Sequence, residues 1–207
     1  MDSKQVNSEH TDEQELIKKV QEKDRNAFNQ LVKKYMERAY AIAYRITHNH
    51  HDAQDLSQEA FIKVWNSINS FTGKSSFYTW FYRILVNLCI DFQRKHSFLK
   101  IFYTSDSNSD KNPEMGHATH NIWQNSSNQE NPEKSLLNKE LEYKINNALK
   151  KLPAKQKVVF ELKYYQGLQF SEIAKILKCS EGTVKSHMFR STRKLQKLLV
   201  QTTDIRL

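Results

Sequence analysis

The sequence of 207 residues is poor in the residues that make turns, with only 4 Gly and 3 Pro. A protein of many short strands needs such residues between its strands, so their scarcity argues against an all-β fold. Long stretches instead place apolar residues three and four positions apart, which is the pattern of amphipathic helices. We therefore predict an all-α protein.

Cysteine is scarce as well. Cys89 and Cys179 lie far apart and belong to no CxxC pair, so we expect neither a zinc site nor a disulfide framework. No apolar stretch reaches the length of a membrane-spanning helix, and the polar N-terminal residues do not resemble a signal peptide. These features predict a cytoplasmic protein.

Motifs of catalysis are lacking too. The sequence has no Gly-rich phosphate loop, no nucleophile motif and no set of metal ligands at a familiar spacing. The histidines of "HNHH" at 48–51, together with His117 and His120, fall in predicted loops. We expect no enzymatic activity, no cofactor and no metal.

Positive charge is abundant and unevenly distributed. The formal net charge is +9, with 15 Lys/Arg against 12 Asp/Glu in residues 1–100 and 2 against 5 in residues 101–134. Residues 135–207 carry 15 against 6, a net of +9. This last third is therefore expected to bind a polyanion.

The periodic segments predict two small helical domains. Asp24 and Asp52 are placed to cap two helices, and a further helix is predicted from about Ser75 to His96. An Asn/Ser-rich segment with few apolar residues follows, which predicts a mobile linker. The expected divisions are an N-terminal tail with a short helix at 1–23, a first domain at 24–100, the linker at 101–134 and a second domain at 135–207.

The last two predicted helices have the pattern of a helix-turn-helix, whose second helix enters the DNA major groove. Val184, Met188 and Leu195 fall on the inward face of that second helix at 100° per residue. The opposite face carries Ser186, Arg190, Arg193, Lys194 and Lys197, with His187 beside them. Lys178 stands near the turn, where many such motifs have Gly.

Two other faces allow two interpretations each. Asp55, Gln58 and Glu59 form either a solvated helix face or an acidic patch for a basic partner. In "SFYTWFYRI", Phe77 and Phe81 face the predicted core. Thr79, Tyr82, Arg83, Val86 and Asn87 face the other way, with Trp80 at the border, and this face either packs or stacks on unpaired bases.

Two long segments resemble the extracytoplasmic-function (ECF) group of bacterial RNA polymerase sigma factors. They are "DAQDLSQEAFIKVWNSINSFTGKSSFYTWFYRILVNLCIDFQRK" and "LPAKQKVVFELKYYQGLQFSEIAKILKCSEGTVKSHMFRSTRKL". The resemblance implies a protein that binds core polymerase, recognises the −10 and −35 promoter elements and melts the promoter. It also implies the β′ clamp helices, the β flap and an anti-sigma factor as partners.

The resemblance implies roles for individual residues. "DLSQEAF" implies that Asp55, Gln58 and Glu59 bind core polymerase. "SFTGKSSF" and the following helix imply −10 recognition and melting by Phe71, Lys74, Trp80, Tyr82, Arg83 and Asn87. "GTVKSHMFR" implies −35 contacts by Lys185, Ser186, His187, Phe189 and Arg190, with Arg193, Lys194 and Lys197 further along the same helix.

The alternative is a stand-alone helix-turn-helix regulator that never binds polymerase. It would explain residues 135–207 but would leave the face of Asp55 and the face of Asn87 without a function. Co-purification with core polymerase distinguishes the two hypotheses.

Overall fold

The computed structural model describes the backbone of residues 3–104 and 132–203, and the side chains of residues 12–96, 140, 141 and 143–200. These residues form helices and short connections, which confirms the all-α prediction. In chain order the elements are α1 (Ser3–Gln21), α2 (Arg25–Thr47), α3 (His50–Ser67), a 3-10 turn (Ile68–Ser70), α4 (Phe77–Thr104), α5 (Pro132–Lys150), α6 (Ala154–Phe160), a π-helical turn (Glu161–Tyr165), α7 (Phe170–Leu177) and α8 (Glu181–Thr203).

Side-chain caps fix where α2 and α3 begin. The Asp24 carboxylate accepts hydrogen bonds from the amides of Asn26 and Ala27, at 2.7 and 3.2 Å, as the sequence predicts. The prediction that Asp52 caps α3 is wrong, because the Asn49 side chain accepts from the amides of His51 and Asp52 instead. Asp52 lies in the first turn of α3, where its charge still favours the positive end of the helix.

The first unit packs α2, α3 and α4 around an apolar core, with α1 lying across α2. Leu31, Ile42 and Ile46 of α2 are fully buried. The Tyr35 ring lies 5.3 Å from that of Phe77 and 5.6 Å from that of Phe81, between ring centres. Phe77 and Phe81 therefore hold α4 to the core, as the helical spacing predicts.

The second unit is built on α6, the π-helical turn, α7 and α8. Val158, Leu162, Ile173 and Val184 are buried where these elements meet. Helix α5 packs along α8 and closes a smaller apolar cluster that includes Leu195.

The turn between α7 and α8 is made without glycine. Lys178 ends α7 with a φ of 50°, in the left-handed region that glycine adopts most easily. The Cys179 amide then donates to the Ala174 carbonyl, and the Ser180 hydroxyl accepts from the Thr183 amide to begin α8. A three-residue turn of this kind makes the helix-turn-helix.

The two units pack against each other. Helix α4 contacts α6 and α7, and α2 contacts α6. The buried apolar residues of both units form one continuous cluster. Residues 105–131 of the predicted linker lie outside the described residues, whereas residues 101–104 belong to α4 and residues 132–134 to α5.

Two further features of the described residues bear on function. None of their helices is both long and apolar enough to cross a bilayer. Within the same residues, no three His, Cys, Asp or Glu side chains are grouped so that they could hold a metal ion.

Candidate nucleic-acid and protein interfaces

Helix α8 has an apolar face and a basic face. Its apolar face, with Val184, Met188 and Leu195, is buried. Its basic face exposes Lys185, Ser186, Phe189, Arg190, Arg193, Lys194 and Lys197. The helix therefore exposes, near its start and middle, a row of cations with the reach to contact phosphates and base edges in a major groove.

Phe189 is the apolar member of this row. Its side chain is 63% exposed, and the Arg193 guanidinium lies 5.8 Å from its ring centre. A large exposed ring among cations suits contact with a thymine methyl group, which is the apolar feature of the major groove.

His187 differs from its neighbours on α8 because it is half-buried. Burial lowers the pKa of His187, and the nearby charges of Lys155 and Arg190 act in the same direction. This environment therefore disfavours a charged imidazole at His187. Together with Lys155, Thr183 and Asn87 of α4, it lines a cleft of about 210 Å³ between the two units.

A loop before α4 holds Phe71 beside Trp80. The Phe71 ring centre lies 5.8 Å from that of Phe77 and 5.4 Å from that of Trp80, and all but Phe77 are half-buried. The Gln21 amide of α1 donates to the carbonyls of Ile68 and Phe71, at 3.2 and 3.0 Å. Sequence reasoning missed Gln21, because a polar residue at a helix end gives no sign of the distant loop that it contacts.

Lys74 lies exposed in the same loop, just after Gly73, whose φ is 73°. The positive φ turns the chain sharply before α4 begins. An aromatic pair with a neighbouring exposed cation is chemically suited to a flipped base and its phosphate.

The expected exposure of Tyr82 is wrong for this structure. Tyr82 and Val86 are fully buried, and Thr79 is 7% exposed. The Tyr82 ring lies 4.2 Å from that of Tyr78, and burial raises the pKa of its hydroxyl above the usual range. Helical spacing could not show that the Tyr82 ring joins the aromatic cluster of the core, with its centre 5.2 Å from that of Phe81 and 6.5 Å from that of Tyr35 on α2.

Arg83 and Asn87, on the same helix, are less buried than Tyr82 and Val86. The Nη2 atom of Arg83 donates to the Lys175 carbonyl of α7 at 2.6 Å. Asn87 is exposed and opens on the cleft that His187 also lines. The structure thus brings Asn87, predicted for the −10 element, close to His187, predicted for the −35 element.

The outer face of α3 carries the predicted polymerase-binding residues. Asp55, Gln58 and Glu59 are exposed, whereas Leu56 and Ala60 beside them are buried. Lys63 pairs with Glu59 at 3.2 Å, a contact that at the surface contributes little.

Ile62 lies one turn further along this face. Its spacing of three from Glu59 and seven from Asp55 places it on the same stripe, and it is 60% exposed. Sequence reasoning missed it, because an isoleucine in a helix with an apolar stripe is expected in the core.

These faces define a class of protein. A helix-turn-helix unit with an exposed basic helix, beside a helical unit with an aromatic–amide loop and an acidic face, makes a two-unit DNA-binding protein of transcription. Comparison with known proteins gives the family.

The family models for Sigma-70 region 2 and Sigma-70 region 4 match residues 31–98 and 143–195. The chain is 32% identical over 191 residues to the RNA polymerase sigma-H factor of Pseudomonas aeruginosa, covering 90% of this chain and 93% of that protein. It is 34% identical over 184 residues to the ECF RNA polymerase sigma-E factor of Escherichia coli, covering 89% and 92%.

Solved structures agree. The sigma factor RpoE of Bartonella quintana, in complex with the anti-sigma factor NepR, is 26% identical with a TM-score of 0.59, over 83% of this chain and 96% of that one. CnrH, in complex with the cytosolic domain of CnrY, is 20% identical with a TM-score of 0.60, over 90% and 96%, and shares the fold.

The chain belongs to the ECF group of RNA polymerase sigma factors. It is an initiation factor that binds core polymerase and directs promoter recognition, as the sequence predicts. The family is one of transcription initiation factors rather than of enzymes.

Proposed function

We propose that three faces of the chain divide the work of promoter recognition. The face of Asp55, Gln58 and Glu59 binds the β′ clamp helices of core polymerase. The loop of Phe71 and Lys74, with Trp80, Tyr82, Arg83 and Asn87 of α4, reads and opens the −10 element. The basic face of α8 reads the −35 element, and its unit also meets the β flap.

The observation that carries this proposal is the outer face of α8. Seven of the eight side chains implied for −35 contact are exposed on it, and the eighth, His187, is half-buried. Three residues of the opposite face are buried, so the helix has only one side free for DNA. A buried inward face fixes the rotation of the helix and hence which bases each side chain reaches.

We propose that one domain, residues 24–100, binds core polymerase and the −10 element, and that the other, residues 135–207, binds the −35 element. We also propose that the protein acts in the cytoplasm, because core polymerase and promoter DNA are found there. We also propose regulation by an anti-sigma factor. A related sigma factor of known structure is bound by NepR, which supports that regulation here.

The test is assembly with core polymerase. Charge reversal by Asp55→Lys and Glu59→Lys together should weaken holoenzyme formation, since an interface charge meets an opposite charge on its partner. Thermal stability should stay nearly unchanged, because both side chains are exposed. Glu37→Lys, an exposed reversal on α2, is the matched control. Unchanged assembly of the double variant would refute the assignment of α3.

A further inference from the structure

Helix α1 is firmly attached to the first unit. It precedes residues 31–98, which the Sigma-70 region 2 family model matches, and none of the three proposed faces includes it. Ile17 and Val20 of α1 are buried in the core. The Glu13 carboxylate accepts a hydrogen bond from the Tyr35 hydroxyl of α2 at 2.5 Å. These contacts fix the place of α1 and of the residue with which it ends.

That last residue, Gln21, joins the two ends of the 3-10 turn that follows α3. Its side-chain amide donates to the Ile68 carbonyl at 3.2 Å and to the Phe71 carbonyl at 3.0 Å. The Phe71 backbone amide also donates to the Ile68 carbonyl, at 3.0 Å. A glutamine amide carries two hydrogens and can serve two acceptors at once. Gln21 therefore fixes both the beginning of the turn and the residue at which the chain leaves it.

Lys23 contacts the same region from the turn between α1 and α2. Its ammonium donates to the Trp65 carbonyl at 2.9 Å and lies 5.0 Å from the centre of the Trp65 ring. The last carbonyls of a helix lack partners within the helix and carry partial negative charge, so a cation there is favourable. The Trp65 ring centre in turn lies 4.9 Å from that of Phe28. The α1–α2 turn thus lies against the end of α3, which keeps Gln21 within reach of the loop.

The contacts of the loop backbone decide where the Phe71 ring points. Residues 71–76 connect the 3-10 turn to α4 and belong to no helix. The Phe71 ring lies 5.4 Å from that of Trp80 and meets that of Phe77 edge-on, at an interplanar angle of 82°. A rotation of the Phe71 backbone would move its ring away from both. A binding site discriminates only when its parts are held within about 0.5 Å of their working positions.

We propose that Gln21 is a positioning residue for the −10 element, which holds the Phe71 backbone so that the loop accepts one base and rejects the others. Gln21 itself contacts no DNA in this role, since two backbone carbonyls engage its amide. The inference rests on the proposed −10 role of the Phe71 loop. It adds α1 to the parts of the chain that set promoter choice.

A purely structural role for Gln21 predicts a different result. Loss of stability alone would reduce transcription from all promoters by the same factor. A misplaced loop would instead change the relative use of promoters that differ at one −10 base. Discrimination between bases, rather than total activity, is therefore the quantity to measure.

The experiment compares three variants of the full chain after assembly with core polymerase. Gln21→Glu keeps the shape of the side chain, but a carboxylate cannot donate to a carbonyl. Gln21→Lys keeps a donor of similar reach. Gln14→Glu makes the first change at an exposed site of the same helix and is the matched control. Open-complex formation is measured on promoters that carry each base in turn at every −10 position.

Gln21→Glu should lower discrimination at one −10 position by about fivefold or more, the effect of one lost hydrogen bond. Discrimination at the other −10 positions and binding to the −35 element should stay as in the parent. Gln21→Lys and Gln14→Glu should both behave as the parent does. Unchanged discrimination in Gln21→Glu, an equal loss at every position, or the same loss in Gln21→Lys would overturn the inference.

Amide hydrogen exchange in the free chain tests the same contact without polymerase. In Gln21→Ala the Phe71 amide should exchange about fivefold faster or more, because the loop opens more often when its two carbonyls are released. The Leu85 amide, in the buried part of α4, should keep its rate. An unchanged rate at Phe71, or an equal acceleration at Leu85 through lost global stability, would contradict a positioning role.

Phe71→Ala, measured on the same promoters, separates the inference from the proposed function. If Phe71→Ala alters −10 discrimination and Gln21→Glu does not, the inference fails and the proposed role of the loop stands. If neither variant alters it, both fail.

Discussion

The Phe71 ring lies 5.4 Å from the Trp80 ring, and the Gln21 amide holds the Phe71 carbonyl from the other side. The loop is thus held at two points next to the start of α4. Such fixing lowers the entropy that a base must overcome to enter the loop. We therefore propose that the loop at Phe71 is ordered before a base enters it.

Phe71→Ala should impair promoter opening and change preference at the −10 element, while −35 binding is largely kept. Stacking on an aromatic ring is worth about 1–3 kcal/mol per base, so the loss is large enough to measure. The assay is open-complex formation by holoenzyme on promoters that vary at each −10 position. Phe71→Leu, which keeps apolar bulk without the ring, is the control. Unaltered −10 preference in Phe71→Ala would place the pocket elsewhere.

Arg190 and Lys194 should differ in what their removal does. Arg190→Ala should relax preference at one −35 base pair, since a bidentate arginine–guanine contact is worth about 1–3 kcal/mol of discrimination. Lys194→Ala should weaken binding to all sequences and lower the salt slope by about one. Holoenzyme affinity for a −35 library at several salt concentrations gives both values. Should Arg190→Ala keep full sequence preference, the register of α8 in the groove is wrong.

Ile62→Ala should weaken binding to core polymerase. An apolar side chain that is 60% exposed beside Asp55 and Glu59 fits the apolar centre of an interface with a charged rim. We expect a loss of about 1–2 kcal/mol in affinity, the range of a moderate interface residue. Competition for core polymerase against the parent chain measures it. Equal affinities of the Ile62→Ala variant and the parent chain for core polymerase would show that Ile62 does not contribute to the interface.

Lys178→Gly should stabilise the second unit. Lys178 adopts a φ of 50°, which is strained for a residue with a side chain and easy for glycine. We expect a gain of about 1 kcal/mol, reduced by the larger entropy of glycine in the unfolded chain. Thermal unfolding measures the gain, with Lys175→Gly in the adjacent helix as a control that should destabilise. A lower melting temperature for Lys178→Gly would show that the Lys side chain itself supports the turn.

The contribution of Glu161 to the stability of the folded chain should fall as pH rises toward neutrality. Burial raises the pKa of Glu161 from 4.5 to about 7, although Arg45 acts in the opposite direction. This contribution is then fully present below about pH 4.5 and is lost as pH rises through about 7. The part of the folding equilibrium constant that depends on Glu161 should fall at most about tenfold per pH unit in this window and level off above it.

The comparison with Glu161→Gln isolates this effect. Burial also lowers the pKa of Lys157 to about 8 and that of His48 to about 3, and both groups remain in the variant. Glutamine imitates the protonated acid, so the difference in free energy of unfolding between parent and variant, measured by urea denaturation, should grow from pH 5 to pH 7.5. A constant difference would show that Glu161 does not titrate on unfolding.

Much of the fold follows from local pattern, because each helix buries residues at helical spacing. The stripe of α2 and the two faces of α8 are correct for this reason. The burial of Tyr82 does not follow from the pattern of α4 alone, because it depends on how α4 packs against α2, where the Tyr82 ring lies 6.5 Å from that of Tyr35. The contact of Arg45 with Glu161 could not be predicted either, because the two residues belong to different units and the sequence does not show that their side chains lie 3.5 Å apart.

The most direct test of the central claim is in vitro transcription with purified core polymerase on a library of genomic promoter fragments, with start sites mapped. With the chain added, we predict starts at a limited set of fragments that share one −10 and one −35 sequence at a fixed spacing. The Asp55→Lys, Glu59→Lys variant should yield few such starts. Starts that are absent with the chain, or the same with and without it, would contradict its role as a promoter-specific initiation factor.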